Sequence, residues 1–217
     1  MRLARWIVLM SVGSLVACAG MPIGVRERML SALHEGGYVI FFRHATTDWS
    51  QKDTDLSDLK NCAAQRNLAD AGRAQARAIG EAFNRLGIPV GEILASPYCR
   101  TLETAQLGFG RVQATEDLRH INLDTAQARI DGLARLVNTA PAGGLNTVLI
   151  SHHPNLEALT GVVLDEGEAA VFKPGGRGQY QLLYRVKARV WTEMVAVRAS
   201  GTHLNSLPLN GPFHAAH

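Results

Sequence analysis

Residues 38–45 read Tyr-Val-Ile-Phe-Phe-Arg-His-Ala, a short apolar run that ends on a basic pair. The run is apolar at consecutive rather than alternate positions. That pattern fits a strand covered on both faces, as in the parallel sheets of α/β domains. Open α/β sheets bind ligands at the carboxyl ends of their strands, so Arg43 and His44 are predicted to stand together at a sheet edge. An arginine beside an imidazole nucleophile suits chemistry on an anionic group, most often phosphate. A lone dipeptide of this kind is weak evidence, and its weight depends on what else converges on it.

Two later segments repeat the design. Residues 92–100 read Glu-Ile-Leu-Ala-Ser-Pro-Tyr-Cys-Arg, an apolar strand broken by Ser-Pro, with Arg100 in the first turn of a following helix. Residues 147–153 read Thr-Val-Leu-Ile-Ser-His-His, and Pro154 is well placed to begin a helix. Three strand ends therefore deliver Arg43, His44, Arg100 and one of His152 and His153 to one edge. Side chains alternate along a strand, so the two histidines cannot both face the same pocket.

These segments are similar to the motifs of the histidine phosphatase superfamily, which includes phosphoglycerate mutases, phosphohistidine phosphatases and broad phosphomonoesterases. Arg43-His44-Ala45-Thr46-Thr47-Asp48-Trp49-Ser50 resembles the family's Arg-His-Gly-Glu-Thr-x-Trp-Asn. Leu68-Ala69-Asp70-Ala71-Gly72-Arg73-Ala74-Gln75-Ala76 resembles Leu-Thr-x-x-Gly-x-x-Gln-Ala. Ser96 to Ala105 resembles Ser-x-x-x-Arg-x-x-x-Thr-Ala, and Ser151-His152 fits the second catalytic histidine. The motifs run in order over about residues 37–190.

The resemblance implies a three-layer α/β/α sandwich with a mostly parallel central sheet. It implies a phosphomonoester hydrolase with His44 as nucleophile. Arg43, Arg100 and His152 would bind the phosphoryl oxygens, and Ser50, at the family's Asn position, is a candidate further contact. Fixed cations would supply the electrostatic stabilisation, so neither metal nor cofactor is expected. The family's acidic proton donor falls on His120. Either His120 or a neighbouring carboxylate (Glu116, Asp117 or Asp124) would protonate the leaving oxygen. Ala45 for Gly and Ser50 for Asn also depart from the mutase pattern and weaken any transfer of its substrate contacts. Only 51 residues separate Arg100 from His152, which leaves no room for a large helical cap.

The start of the chain reads as an export signal. Arg2 and Arg5 precede the apolar stretch Trp6–Ala17, too short to span a bilayer easily. Leu15-Val16-Ala17-Cys18 resembles a bacterial lipobox, with Cys18 as the lipidated residue; cleavage at an Ala17-Cys18-Ala19 site is the alternative. The expected division is a signal segment at 1–18, a tether and short helix at 19–36, the catalytic domain at 37–199 and a tail at 200–217. Membrane attachment is then only through the lipid, in the periplasm or at the outer membrane. Two cysteines remain, and in an oxidising compartment Cys62 and Cys99 are expected to pair. The bridge would close a loop worth roughly 4 kcal/mol in chain entropy and tie the region after His44 to the turn that carries Arg100.

Without Arg2 and Arg5 the net charge falls from +3 to +1, which gives no reason to expect nucleic-acid binding. The expected partner is a small phosphorylated substrate. The envelope location favours a phosphorylated sugar, such as the phosphorylated heptose of surface lipopolysaccharide. A phosphate- or glycan-binding lipoprotein without turnover, and an intracellular phosphohistidine phosphatase, are the competing readings.

The remaining elements are read from periodicity. Helices are expected at 25–35, at 69–87 with Ala71, Ala74, Ala78, Ala82, Phe83 and Leu86 inward, at 98–108, at 123–138 and at 154–164. Residues 46–67 should form a long functional loop. Pro174 to Gly178 should be a turn before strands 180–187 and 190–197. His214 and His217 match no metal-site spacing.

Overall fold

Along Val39-Ile40-Phe41-Phe42 successive side chains go to opposite faces, and all four are buried. Both faces of that strand must therefore be covered, which dictates a layer of helices on each side of the sheet. The computed structural model describes residues 21–122, 126–176 and 179–199. Its elements in chain order are α1 (Ile23–Glu35), β1 (Val39–Arg43), α2 (Asp70–Leu86), β2 (Val90–Ala95), α3 (Cys99–Phe109) and β3 (Gln113–Ala114). They continue with α4 (Ala126–Asn138), β4 (Asn146–Ser151), α5 (His153–Thr160), β5 (Ala169–Gly176), β6 (Gln179–Val186) and α6 (Ala188–Ala199). The predicted signal segment with Cys18, the helix start at Leu123 and Asp124, and the tail with His214 and His217 lie outside the described residues.

The sheet order is β3-β2-β4-β1-β5-β6. The first four strands are mutually parallel, and β5 and β6 add an antiparallel hairpin. Register does the functional work. Arg43 lies opposite Ser151, and Ala95 lies opposite Ile150. The carboxyl ends of β1, β2 and β4 therefore meet on one edge, with β1 and β2 flanking β4. On one face Ile40, Phe42, Val148, Ile150 and Val171 pack with α1, α2 and α6. On the other, Val39, Phe41, Leu149 and Phe172 pack with α4 and α5. Three layers result, as expected.

Four expectations need correction. The first concerns residues 190–197, which are helical within α6 and not a strand. Its valines suggest β structure, but Val190, Trp191 and Met194 are the buried positions. That i, i+1, i+4 spacing is a helical face, and it seats Trp191 against Phe83 of α2 and Phe42 of β1. Secondly, α5 stops at Thr160 because Gly161 takes the left-handed conformation, φ 73°. Finally, the buried face of α2 is rotated from the expected one. Ala71 and Ala74 are exposed, while Gly72, Ala76, Ile79 and Gly80 are buried. Pro174 to Gly176 extend β5 rather than turning, and residues 177–178 lie outside the described residues.

The rotation of α2 has a steric cause. A Cβ on Gly72 would lie 1.8 Å from the carbonyl oxygen of Thr46, and one on Gly80 would lie 1.7 Å from that of Gly108. Glycine is what lets the helix backbone touch the segment just after His44. Ala69 N–H donates to the same Thr46 oxygen at 3.1 Å. Gly72→Ala should therefore destabilise the protein by about 3 kcal/mol through overpacking. Urea unfolding measures it, and an unchanged midpoint would refute the contact.

Candidate active site

Each strand end places its group by backbone pairing. His44 N–H donates to Ser151 O at 3.0 Å, and Ser96 N–H donates to Ile150 O at 2.9 Å. After β2, Tyr98 caps α3 with extended backbone, which puts Arg100 in the first turn. After β4, His152 occupies the same capping position on α5. The segment before α4 is pulled in by two side chains: Ser151 Oγ donates to Leu118 O at 2.6 Å, and Asn155 Nδ2 donates to Arg119 O at 2.8 Å. That contact carries His120 to the cluster.

The result is a group of rings and guanidiniums in contact. The His44 and His152 ring centres are 5.5 Å apart, and His120 is 4.9 Å from His152. Tyr98 lies 4.8 Å from His152, with the Arg100 guanidinium carbon 4.5 Å over its ring. Arg43, His44, Arg100, His152 and His120 are thus brought together as expected. His153 starts α5, half-buried, outside this ring cluster. Ser50 is exposed and donates to Asp48 Oδ1 at 2.7 Å, so its hydroxyl serves a turn. Glu116 pairs with Arg119 and Arg129, and Asp117 with Arg135, so neither carboxylate is committed to the cluster.

Hydrogen bonds define the protonation of the rings. His44 Nδ1 faces the Ala45 carbonyl at 2.9 Å. A carbonyl only accepts, so Nδ1 carries the proton and Nε2 the lone pair. His120 repeats this with Ile121 O at 2.8 Å. His152 Nε2 meets Ser96 Oγ at 2.9 Å, while its Nδ1 is buried without a partner. With the serine hydroxyl donating to Nε2, Nδ1–H is left free to donate.

That orphan donor has company. The Nε–H groups of Arg43, Arg66 and Arg100 are also buried and unpartnered. Buried donors are normally satisfied, so several orphaned together mark a place built for an absent acceptor. Burial first, and then the three guanidiniums, hold the His44 imidazole well below its ordinary pKa; the Ala45 carbonyl opposes them. Burial and Arg100 do the same to His152. His120 is pushed down too, chiefly by burial. The imidazoles are therefore neutral near pH 7, and the guanidiniums carry the positive charge. Carboxylates brace those cations from behind. Glu166 reaches Arg43 at 3.4 Å and holds Thr47 through its hydroxyl at 2.7 Å. Asp53 reaches Arg100 at 3.0 Å.

Arg66 and Asp53 escape sequence reasoning. Both sit in the irregular stretch between β1 and α2, where no periodicity marks an inward position. Arg66 lies with its guanidinium carbon 3.9 Å over the exposed ring of Trp49. The stretch is fastened by the expected disulfide, Cys62–Cys99, whose Cα atoms are 5.7 Å apart. Cys99 directly precedes Arg100.

Residues 39–142 match the family model of the histidine phosphatase superfamily, branch 1. Over that span the chain carries the pattern of this superfamily. The matched span ends before His152, which the sheet register nevertheless places against His44. Among solved structures, the protein histidine phosphatase SixA complexed with tungstate is similar at a TM-score of 0.53 and 15% identity, over 70% of this chain and 98% of that one. The product of open reading frame Rv3214 from Mycobacterium tuberculosis gives 0.51 and 16%, over 70% and 98%. At these identities the likeness concerns the fold. Among curated proteins, none matches the sequence.

The depressed imidazoles make stability pH-dependent. Between about pH 6.5 and their native pKa values, the unfolded chain binds protons that the native chain does not. Stability is therefore complete above pH 6.5 and lost on acidification, by up to about 2.7 kcal/mol per pH unit for His44 and His152 together. Urea unfolding between pH 7.5 and 5 should show this slope, and His152→Gln should flatten it. Equal slopes would mean that His152 takes up its proton equally in the folded and unfolded chain.

Proposed function

We propose that this protein is a phosphomonoester hydrolase that works through a phosphohistidine on His44. The observation that carries the reading is the pairing of one available imidazole nitrogen, His44 Nε2, with three orphaned donors on Arg43, Arg66 and Arg100, beside the buried, unpartnered Nδ1 of His152. In the first half-reaction Nε2 attacks phosphorus and the P–O ester bond breaks. In the second, water attacks phosphorus, the N–P bond breaks and inorganic phosphate leaves. The phosphoryl oxygens carry their charge into fixed N–H donors, which meet it without reorganisation. On this reading no metal is required.

We place the reaction in the bacterial cell envelope, on a small phosphorylated substrate, a phosphorylated sugar being the class that suits that location. The Cys62–Cys99 bridge supports export, since disulfides persist in oxidising compartments. The signal-like pattern of residues 1–18, which ends on Cys18, favours lipidation at that cysteine. Palmitate labelling with fractionation checks the anchor, and thiol titration of the denatured, unreduced protein should find neither Cys62 nor Cys99 free.

With p-nitrophenyl phosphate, the protein should show vanadate-sensitive turnover and an acid-labile phosphoryl group on His44. His44→Ala should lower turnover by roughly 1000-fold or more. EDTA should leave the rate unchanged. The acid limb of the kcat profile should lie well below the ordinary imidazole range, because the nucleophile resists protonation. A protein that binds phosphate but never labels His44 would be a binding module, and the proposal would fall.

A further inference from the structure

The segment between β1 and α2 meets Arg100 without a core of its own. No side chain from Gln51 to Ala64 is buried. Its hold on the first turn of α3 rests on polar contacts and one covalent bond. Asp53 Oδ1 accepts from Arg100 Nη1 at 3.0 Å, and the Arg66 carbonyl accepts from the same nitrogen at 3.4 Å. Gln65 Oε1 accepts from the Cys99 N–H at 3.0 Å. The covalent bond is Cys62–Cys99. A stretch with so little buried apolar surface lies at the low-stability end of a fold, and it stays ordered by what ties it down.

The bond can be reached from outside the phosphate site. Cys62 is exposed, whereas Cys99 is 8% exposed. Both cysteines line a cavity of about 450 Å³, together with Ala63, Asn67, Arg73 and Glu103. Neither His44 nor His152 lines it, and none of the three guanidiniums of the site does. A reagent therefore meets the bridge without entering the phosphate site. Exposed disulfides are the exchangeable ones, in contrast to those that only staple a fold.

We propose that the Cys62–Cys99 bridge is a thiol–disulfide exchange site whose opening weakens phosphate binding at Arg100, a reading that rests on the phosphohistidine mechanism above. The co-reactant is a dithiol. One of its sulfurs, as thiolate, attacks the exposed Cys62 Sγ. The Sγ–Sγ bond breaks, and Cys99 leaves with the electron pair at the amino end of α3, where the helix dipole favours an anion. The second sulfur of the dithiol then attacks the mixed disulfide and releases Cys62. The dithiol is oxidised by two electrons to its own disulfide. The bridge is reduced by two electrons, and the two protons of the dithiol end on the two cysteines.

The consequence for the site follows from what the bridge fastens. Cys99 directly precedes Arg100, and the other side of the bridge carries Asp53, Gln65 and Arg66. Once the bond opens, hydrogen bonds alone hold the segment, and ordering it costs chain entropy each time phosphate binds. Arg100 is then without its carboxylate part of the time, and Arg66 without a fixed place. Affinity for the anion falls with the fraction of molecules in which the segment is docked. The fold survives, because the clusters on both faces of the sheet are built from residues outside the segment.

Exchange, release and activity are measured on one sample. The folded protein is treated with dithiothreitol, alkylated with iodoacetamide and mapped by mass spectrometry. Turnover of p-nitrophenyl phosphate and its inhibition by inorganic phosphate are followed alongside. Cys62 and Cys99 should both be alkylated without denaturant. KM should rise and inhibition by phosphate should weaken, each by about tenfold, and reoxidation should restore both. Trypsin should cut the reduced protein at Lys52 and Lys60, which are exposed in the segment, and leave the sheet intact. The double variant Cys62→Ala, Cys99→Ala should match the reduced protein and ignore dithiothreitol. Alkylation only in denaturant would overturn the proposal, as would an unchanged KM after reduction. So would cleavage throughout the reduced chain, which would make the bridge a staple of the whole fold. Failure of the phosphohistidine reading looks different: the oxidised protein would carry no label on His44, while alkylation and cleavage would still follow the state of the bridge.

Discussion

The site depends on holding three guanidiniums together in a largely buried space without losing the fold. Arg100 is 2% exposed, and burial works against its charge and that of Arg43. An isolated buried cation is costly, so each must meet an opposite charge or many acceptors. Glu166 and Asp53 supply this for Arg43 and Arg100, and the Trp49 ring face supplies part of it for Arg66. The neutralisation is partial by design. Two carboxylates against three guanidiniums leave a net positive site, and the Nε–H groups of all three guanidiniums there remain without a partner. The same crowding explains the imidazoles. Neutral rings are the form that such surroundings tolerate, and a neutral ring is the form in which His44 is a nucleophile.

Much of this was legible in the chain because it is encoded by short-range pattern. An apolar run that ends in a basic residue specifies both a buried strand and the group at its tip, so Arg43, His44 and Arg100 could be named before their distances were known, while the pattern left His152 and His153 open and the family resemblance chose His152. The parallel sheet then brings them together through register alone. What pattern could not give is anything held by tertiary contact. His120 reaches the site because Ser151 and Asn155 grip the carbonyls of Leu118 and Arg119, and nothing local to residues 116–122 reveals that grip. Asp53 and Arg66 lie among polar residues with no periodicity at all. Even α2, a strongly periodic helix, was oriented wrongly, since its closest contacts are made by glycines, which a count of apolar side chains passes over. The helix α6 was misread for a related reason: valines favour strands intrinsically, but packing of Trp191 between Phe42 and Phe83 decides the outcome.

These two kinds of residue are held in different ways. Groups at strand ends are fixed by the ladder, and on the mechanism proposed above they attack phosphorus and receive its oxygens. Arg66 and Asp53, on the stretch between β1 and α2, are fixed by tertiary contacts instead. Such a segment is free of the sheet's alternation, yet it must not wander. Three fastenings hold it here. Thr47 bridges to Leu68 and to Glu166, the disulfide joins Cys62 to Cys99, and Asp53 ties Arg66 to Arg100. The last two close on consecutive residues of α3. Covalent bond and ion pair therefore act on the same helical turn, so the segment that carries Asp53 and the turn that carries Arg100 are constrained as one piece.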